Sequence, residues 1–132
     1  MKASPEVETE IIAALRIFSD LVSRKQRDSV FELFAPDADV VSIGSEARET
    51  AVGPEEIKNF LGRVLSRSYS YSWKWDWLVV SMKDQVAWVA AAGSVIKSHD
   101  GKKETSPYRL SVVFEKRNSR WLIVQYHGSE PV

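Results

Sequence analysis

The sequence predicts an α+β domain in which three helices come first and pack on one face of a curved antiparallel sheet. Two observations carry that prediction. Apolar residues recur at helical spacing as far as about residue 66 and alternate one-in, one-out after it. The charge divides at nearly the same place: residues 1–60 hold seven Lys or Arg against twelve Asp or Glu, and residues 61–132 hold eleven against six. A net charge of zero therefore conceals an acidic half and a basic half. With 132 residues, 44% of them hydrophobic, the chain suits one domain spanning 1–132, helical over about 4–66 and sheet over about 67–128.

In the first helix, Val7, Ile11, Leu15, Phe18 and Val22 form one apolar stripe, with Ser4 as N-cap and Pro5 at the first helical position, where its missing N–H costs nothing. A short second helix is predicted from Asp28 as N-cap through Val30, Phe31, Leu33 and Phe34, ending at Pro36. Asp39 to Gly44 makes a short strand, and Gly53-Pro54-Glu55-Glu56 opens a third helix carrying Ile57, Phe60, Leu61, Val64 and Leu65. Acidic residues gather near these helix starts, where the helix dipole favours them. Beyond Ser66, alternation places Tyr69, Tyr71, Trp73, Trp75, Trp77 and Val79 on one face of a strand. Turns at Lys83-Asp84, Asp100-Gly101 and Arg117-Asn118-Ser119 separate further strands at Val86–Ile96, about 105–115, and Trp121–His127.

Several functions are excluded or disfavoured at this level. Zero net charge argues against a nucleic-acid partner. No apolar run spans a bilayer and the first ten residues are polar and acidic, so a cytoplasmic setting is expected. Without cysteine there is no disulfide, thiolate zinc site or cysteine nucleophile. The two histidines and the acidic residues show no metal-ligand spacing, and the six glycines are isolated, so no metal and no cofactor is expected. The last strand carries apolar residues on both faces, Leu122, Val124 and Tyr126 one way and Trp121 and Ile123 the other. That second face predicts a homodimer packed sheet to sheet through Trp121, Ile123, Gln125 and His127.

The element order, with Phe34-Ala35-Pro36-Asp37-Ala38-Asp39-Val40-Val41 and Trp121-Leu122-Ile123-Val124-Gln125-Tyr126-His127-Gly128-Ser129, resembles the SnoaL-like branch of the nuclear transport factor 2-like superfamily over nearly the whole chain. The segment from Ser111 to Ser129 also looks like the association domain of calcium/calmodulin-dependent protein kinase. The resemblance implies a cone with an internal pocket, and often a dimer through the outer sheet face. It leaves function open, because isomerases, dehydratases, cyclases and assembly modules share this fold. Laid on this chain, the ketosteroid isomerase pattern puts its base at Ser42, its tyrosine at Phe18 and its carboxylic acid at Ser111, none of which can serve.

Among candidate acids and bases, His99 reads as a solvated turn residue, Asp37-Ala38-Asp39 as a turn, and His127 as an interface or rim residue. His127 and Asp39 are retained as the catalytic candidates of an acid–base reading. Arg109 is the mid-strand cation that shares a face with Ser111. If that face points into the cone, Arg109 anchors a ligand carboxylate, with Ser111, Ser42 and Tyr126 for hydrogen bonds and Trp73, Trp75 and Phe18 as walls; otherwise it pairs with Glu104, Asp76 or Glu32, or reaches solvent. The aromatic stripe from Tyr69 to Trp77 reads as core or dimer interface before ligand box. The expected function is a homodimeric domain whose pocket binds a small hydrophobic molecule, with or without a carboxylate, and with no catalytic group identified. An acid–base enzyme acting on a small cyclic substrate and a non-catalytic assembly module are the alternatives.

Overall fold

Ser4 caps the first helix as its residue type predicts: its hydroxyl accepts from the Val7 N–H at 3.2 Å, and Pro5 starts α1, Pro5–Ser23. The computed structural model describes residues 1–131. The second helix, α2, is a short Arg27–Phe31 with Gln26 in the cap position, two residues earlier than the cap read at Asp28. Two three-residue strands follow, β1 Val41–Ile43 and β2 Thr50–Val52, the latter not anticipated from sequence. Then come α3, Gly53–Leu65, and four long strands: β3 Ser70–Lys83, β4 Val86–His99, β5 Lys102–Arg117 and β6 Arg120–Ser129.

The sheet has the order β2-β1-β6-β5-β4-β3. Its neighbours pair antiparallel except β1 and β6, which run parallel with Ser42 opposite Tyr126. Further contacts in the same region tie the two halves together: the Ala35 N–H donates to the Ile123 carbonyl at 2.9 Å and the Ile123 N–H to Leu33 at 2.8 Å. The helices cover one face of the curved sheet. Ile11, Leu15 and Val22 of α1, Val30 of α2 and Ile57, Phe60 and Leu61 of α3 are buried against Val80, Val89, Leu110, Val112 and Phe114. The predicted α+β architecture with helices on one face of a curved antiparallel sheet is what the chain adopts.

Two β-bulges decide which side chains face the helices, and strict alternation misreads both strands beyond them. In β3, Trp75 pairs with Gly93 and Trp77 with Ala92, leaving Asp76 as the extra residue. Tyr71, Trp73 and Trp75 therefore face inward, whereas Trp77 and Val79 stand on the outer face, 55% and 50% exposed. Gly93 makes this bend possible, since a Cβ there would sit 2.0 Å from the Lys74 carbonyl oxygen. In β6, Val113 pairs with Gln125 and Phe114 with Ile123, so Val124 is the extra residue. Ile123 and Tyr126 are both buried as a result, and Trp121 turns toward α1, where its indole N–H donates to Glu10 at 2.9 Å. Trp121 and Ile123 thus belong to the helix-covered face and not to the predicted outer interface. Gln125 and His127 are the exposed, outward members of that set.

Candidate functional site

The helix-covered face lines a partly open cavity of about 70 Å³. Phe18 and Val22 of α1, Phe34 after α2, and Phe60, Leu61, Val64 and Leu65 of α3 form its apolar walls. The sheet contributes Ser42, Tyr71, Trp73, Val95, Tyr108 and Tyr126. The aromatic rings are in mutual contact: Phe18 stacks on Tyr126 with centroids 5.3 Å apart and lies 5.6 Å from Trp73, which lies 5.9 Å from Tyr108. The Tyr108 and Tyr126 hydroxyls meet at 3.4 Å. Burial pushes Tyr108 up to about 12 and Tyr126 well above the usual tyrosine value, so both stay protonated. The Trp73 indole N–H is buried beside the Tyr108 hydroxyl and makes no hydrogen bond of normal geometry among the described residues.

Gly128 sets the position of the Tyr108 ring. The Tyr108 ring lies across it so closely that a Cβ at residue 128 would be 1.8 Å from the Tyr108 hydroxyl oxygen. Only glycine admits this approach.

Charged side chains gather at the cavity mouth. Arg67, in the turn between α3 and β3, donates to the Tyr71 hydroxyl at 2.7 Å and to Glu46 and Glu49 at 3.2 Å each. Burial disfavours its charge, but the hydroxyl and the two carboxylates outweigh that and hold its pKa above the ordinary arginine value. Glu130 accepts from the Ser45 hydroxyl at 2.8 Å and pairs with Lys97 at 3.6 Å. Every charged group of the lining is therefore in an ion pair.

Of the pocket residues read from sequence, the structure brings Phe18, Ser42, Trp73 and Tyr126 together around this cavity. Trp75 faces inward and packs on Tyr108 at 6.1 Å, but it lines a separate groove between α1 and β3 with Leu15, Ser19 and Leu78. Arg109 and Ser111 are corrections: both are exposed on the outer face, while Tyr108, Leu110, Val112 and Phe114 are the buried residues of β5. The isomerase overlay on Ser111 was thus one residue out of register, and its inward neighbours Leu110 and Val112 carry no carboxyl either. Arg109 forms no ion pair with Glu104, Asp76 or Glu32 among the described residues. Asp39 is exposed in the turn before β1, and His127 is exposed on the outer face, so neither reaches the cavity. His99 accords with its reading as a turn residue: it is exposed, with its Nδ1 3.0 Å from the Ser68 carbonyl oxygen. No cluster of metal-ligating side chains occurs among the described residues.

The sequence reading missed Tyr108, Arg67, Glu49, Lys97 and Glu130. Tyr108 was within reach, because Tyr108, Leu110, Val112 and Phe114 are a cleaner apolar series than Arg109, Ser111 and Val113. The mouth charges carried no such signal, since they meet only through loop closure.

Residues 11–132 match the SnoaL-like domain family. The chain belongs to that family. This SnoaL-like domain has no match among curated proteins. Its fold recurs in solved structures of low sequence identity. A candidate calcium/calmodulin-dependent protein kinase II association domain from Xanthomonas campestris is 24% identical with a TM-score of 0.80, covering 98% of this chain and 94% of that one. A candidate dehydratase of the NTF2-like family from Streptomyces avermitilis is 17% identical with a TM-score of 0.83, covering 98% and 99%. A Catenulispora acidiphila protein in complex with S-DNPA is 14% identical with a TM-score of 0.83, covering 96% and 95%. These likenesses establish the nuclear transport factor 2-like cone. No helix among the described residues is long and apolar enough to cross a membrane.

Proposed function

We propose that this SnoaL-like domain is a homodimeric receptor for a small, largely apolar, electrically neutral molecule, with no catalytic group of its own. The observation that carries the reading is the aromatic cavity whose every charged neighbour is already paired at the mouth. Moving Arg109 to the outer face removes the argument for a ligand carboxylate. The mouth carries Glu46, Glu49 and Glu130 against Arg67 and Lys97, a balance that repels an anion. The Catenulispora neighbour, solved in complex with S-DNPA, supports ligand binding as a use of this fold. A volume of 70 Å³ is less than half the roughly 150 Å³ of a dry cavity that takes up benzene. A one-ring ligand therefore enters with the Arg67 contacts at the mouth open. A thermal-shift screen of neutral phenols, aryl ketones and small carboxylates tests this: the reading expects stabilisation by neutral ligands, and stabilisation by carboxylates alone refutes it.

The dimer rests on the outer sheet face. Trp77 and Val79 stand exposed there beside Trp88 and Val113, across small Ala90 and Ala92, and Val41, Ile43 and half-exposed Val52 extend the surface. An apolar surface of this extent suits a self-complementary partner. The acid–base enzyme reading would need Glu49 released from Arg67, since neither His127 nor Asp39 reaches the cavity.

A further inference from the structure

The loop of residues 44–49, between β1 and β2, lines the cavity mouth with no apolar anchor to keep it there: none of its residues is buried. Its shape is set from within. The Gly44 N–H donates to the Glu49 carbonyl at 2.6 Å, and the Glu49 carboxylate accepts from the Glu46 N–H at 3.2 Å. Its ties to the rest of the mouth are polar, Arg67 to Glu46 and Glu49 and the Ser45 hydroxyl to Glu130. Arg67 is the fixed side of the first tie, because its guanidinium is also bound to the Tyr71 hydroxyl and its carbonyl accepts from the Lys25 ammonium. Both ends of the loop are fixed as well: Ile43 is seated against His127 of β6, and the Val52 N–H donates to Glu56 at 2.9 Å. Motion is thereby confined to the loop. Partly exposed ion pairs are weak and loosen as salt rises, and segments without buried apolar contacts open at low cost.

We propose that the 44–49 loop is a lid on the cavity, latched by Arg67, which lifts when the pairs to Glu46 and Glu49 part and so controls entry. The lid rests on the binding function proposed above, whose access it regulates. At about 70 Å³ the cavity has no room for a ring while the loop is down. Lifting the loop disturbs none of the apolar walls, since Phe18, Phe34, Phe60 and Trp73 belong to other elements. Ionic strength therefore sets how often the cavity opens, and the apolar walls set what stays in it.

The test needs no ligand. Exchange of the buried Trp73 indole N–H with deuterium oxide is followed by NMR on the 15N-labelled protein, with the amide of buried Val89 in β4 as the control. Arg67→Met, which removes both pairs, is expected to speed Trp73 exchange about tenfold with Val89 unchanged. Glu49→Gln, which removes one, is expected to speed it less. Sodium chloride at about 1 M is expected to speed exchange in the parent and not in Arg67→Met. Unchanged Trp73 exchange in both variants overturns the lid. Equal acceleration at Trp73 and Val89 also overturns it, because Arg67 would then serve overall stability. Should Arg67→Met not fold, Glu49→Gln and the salt dependence of the parent decide the matter. A protein with the expected exchange that no neutral compound stabilises loses the binding function and keeps the moving loop.

Discussion

Gly128→Ala is a small perturbation at the point where the Tyr108 wall of the cavity is set. The added methyl would lie 1.8 Å from the Tyr108 hydroxyl oxygen, 2.5 Å from Cζ and 2.9 Å from Cε1, so the phenol ring, and not just its tip, must move by more than an ångström. Overpacking of this kind costs about 1–3 kcal/mol. Loss of the hydroxyl contact to Tyr126 adds roughly 1 kcal/mol. Alanine is otherwise the better strand residue by about 0.5–1 kcal/mol. The net expectation is a loss of about 1–3 kcal/mol, which at about 4 °C per kcal/mol for a chain of this size lowers the melting temperature by roughly 4–12 °C. Circular dichroism during heating measures it. The sign is the informative part, because without the clash the substitution should stabilise. Repeated in a Tyr108→Leu background, where nothing crosses residue 128, Gly128→Ala is expected to be neutral or stabilising. An equal loss in both backgrounds would show that Tyr108 is not what requires glycine.

Three further outcomes are expected. Asp37 is held below the usual carboxylate value by hydrogen bonds from Arg117 at 2.6 and 2.8 Å. Its stabilisation is present above an unfolded pKa of 3.8 and is lost as pH falls through the lower folded value. Arg117→Gln should therefore flatten the acid limb of a denaturation profile, and an unchanged limb contradicts the assignment. Tyr108 and Tyr126 contribute at the opposite end: the stabilisation of their protonated hydroxyls is complete below pH 10 and lost as pH rises through a folded value near 12 for Tyr108. Absorbance at 295 nm should show both resisting ionisation at pH 11 until the protein unfolds, and their titration in the folded state near pH 10 would mean the cavity is wet. For the outer face, Trp77→Lys is expected to convert a dimer to a monomer in sedimentation velocity at micromolar concentration with the fold intact by circular dichroism. A parent protein that is already monomeric removes the proposal.

Helix positions and the sheet's strand count beyond residue 66 were legible because periodicity and capping are local. Ser4, Pro5 and the Gly53-Pro54 start name their helix boundaries outright. The faces of β3 and β6 were legible only up to Asp76 and back to Val124, where a single extra residue inverts the pattern. Those two insertions moved Trp77 and Val79 outward and Trp121 and Ile123 inward. Arg109 was misplaced for a different reason: its face was taken from an overlay on Ser111, when the run Tyr108, Leu110, Val112 and Phe114 gave the opposite answer. Arg67 and Glu49 were beyond sequence reading, since they are 18 residues apart and meet at the mouth only after α3 has packed.

The parallel seat of β1 on β6 has a bearing on how the molecule assembles. Ser42 and Tyr126 stand side by side across 84 positions of chain, and Phe34 finds Ile123 across nearly ninety. Contacts this remote carry a larger loop-closure cost than the local hairpins β3–β4, β4–β5 and β5–β6. Because Phe34 and Ser42 wall the cavity together with Tyr108 and Tyr126, it is complete only when both ends of the chain are joined, and a molecule that fills it recognises the finished fold.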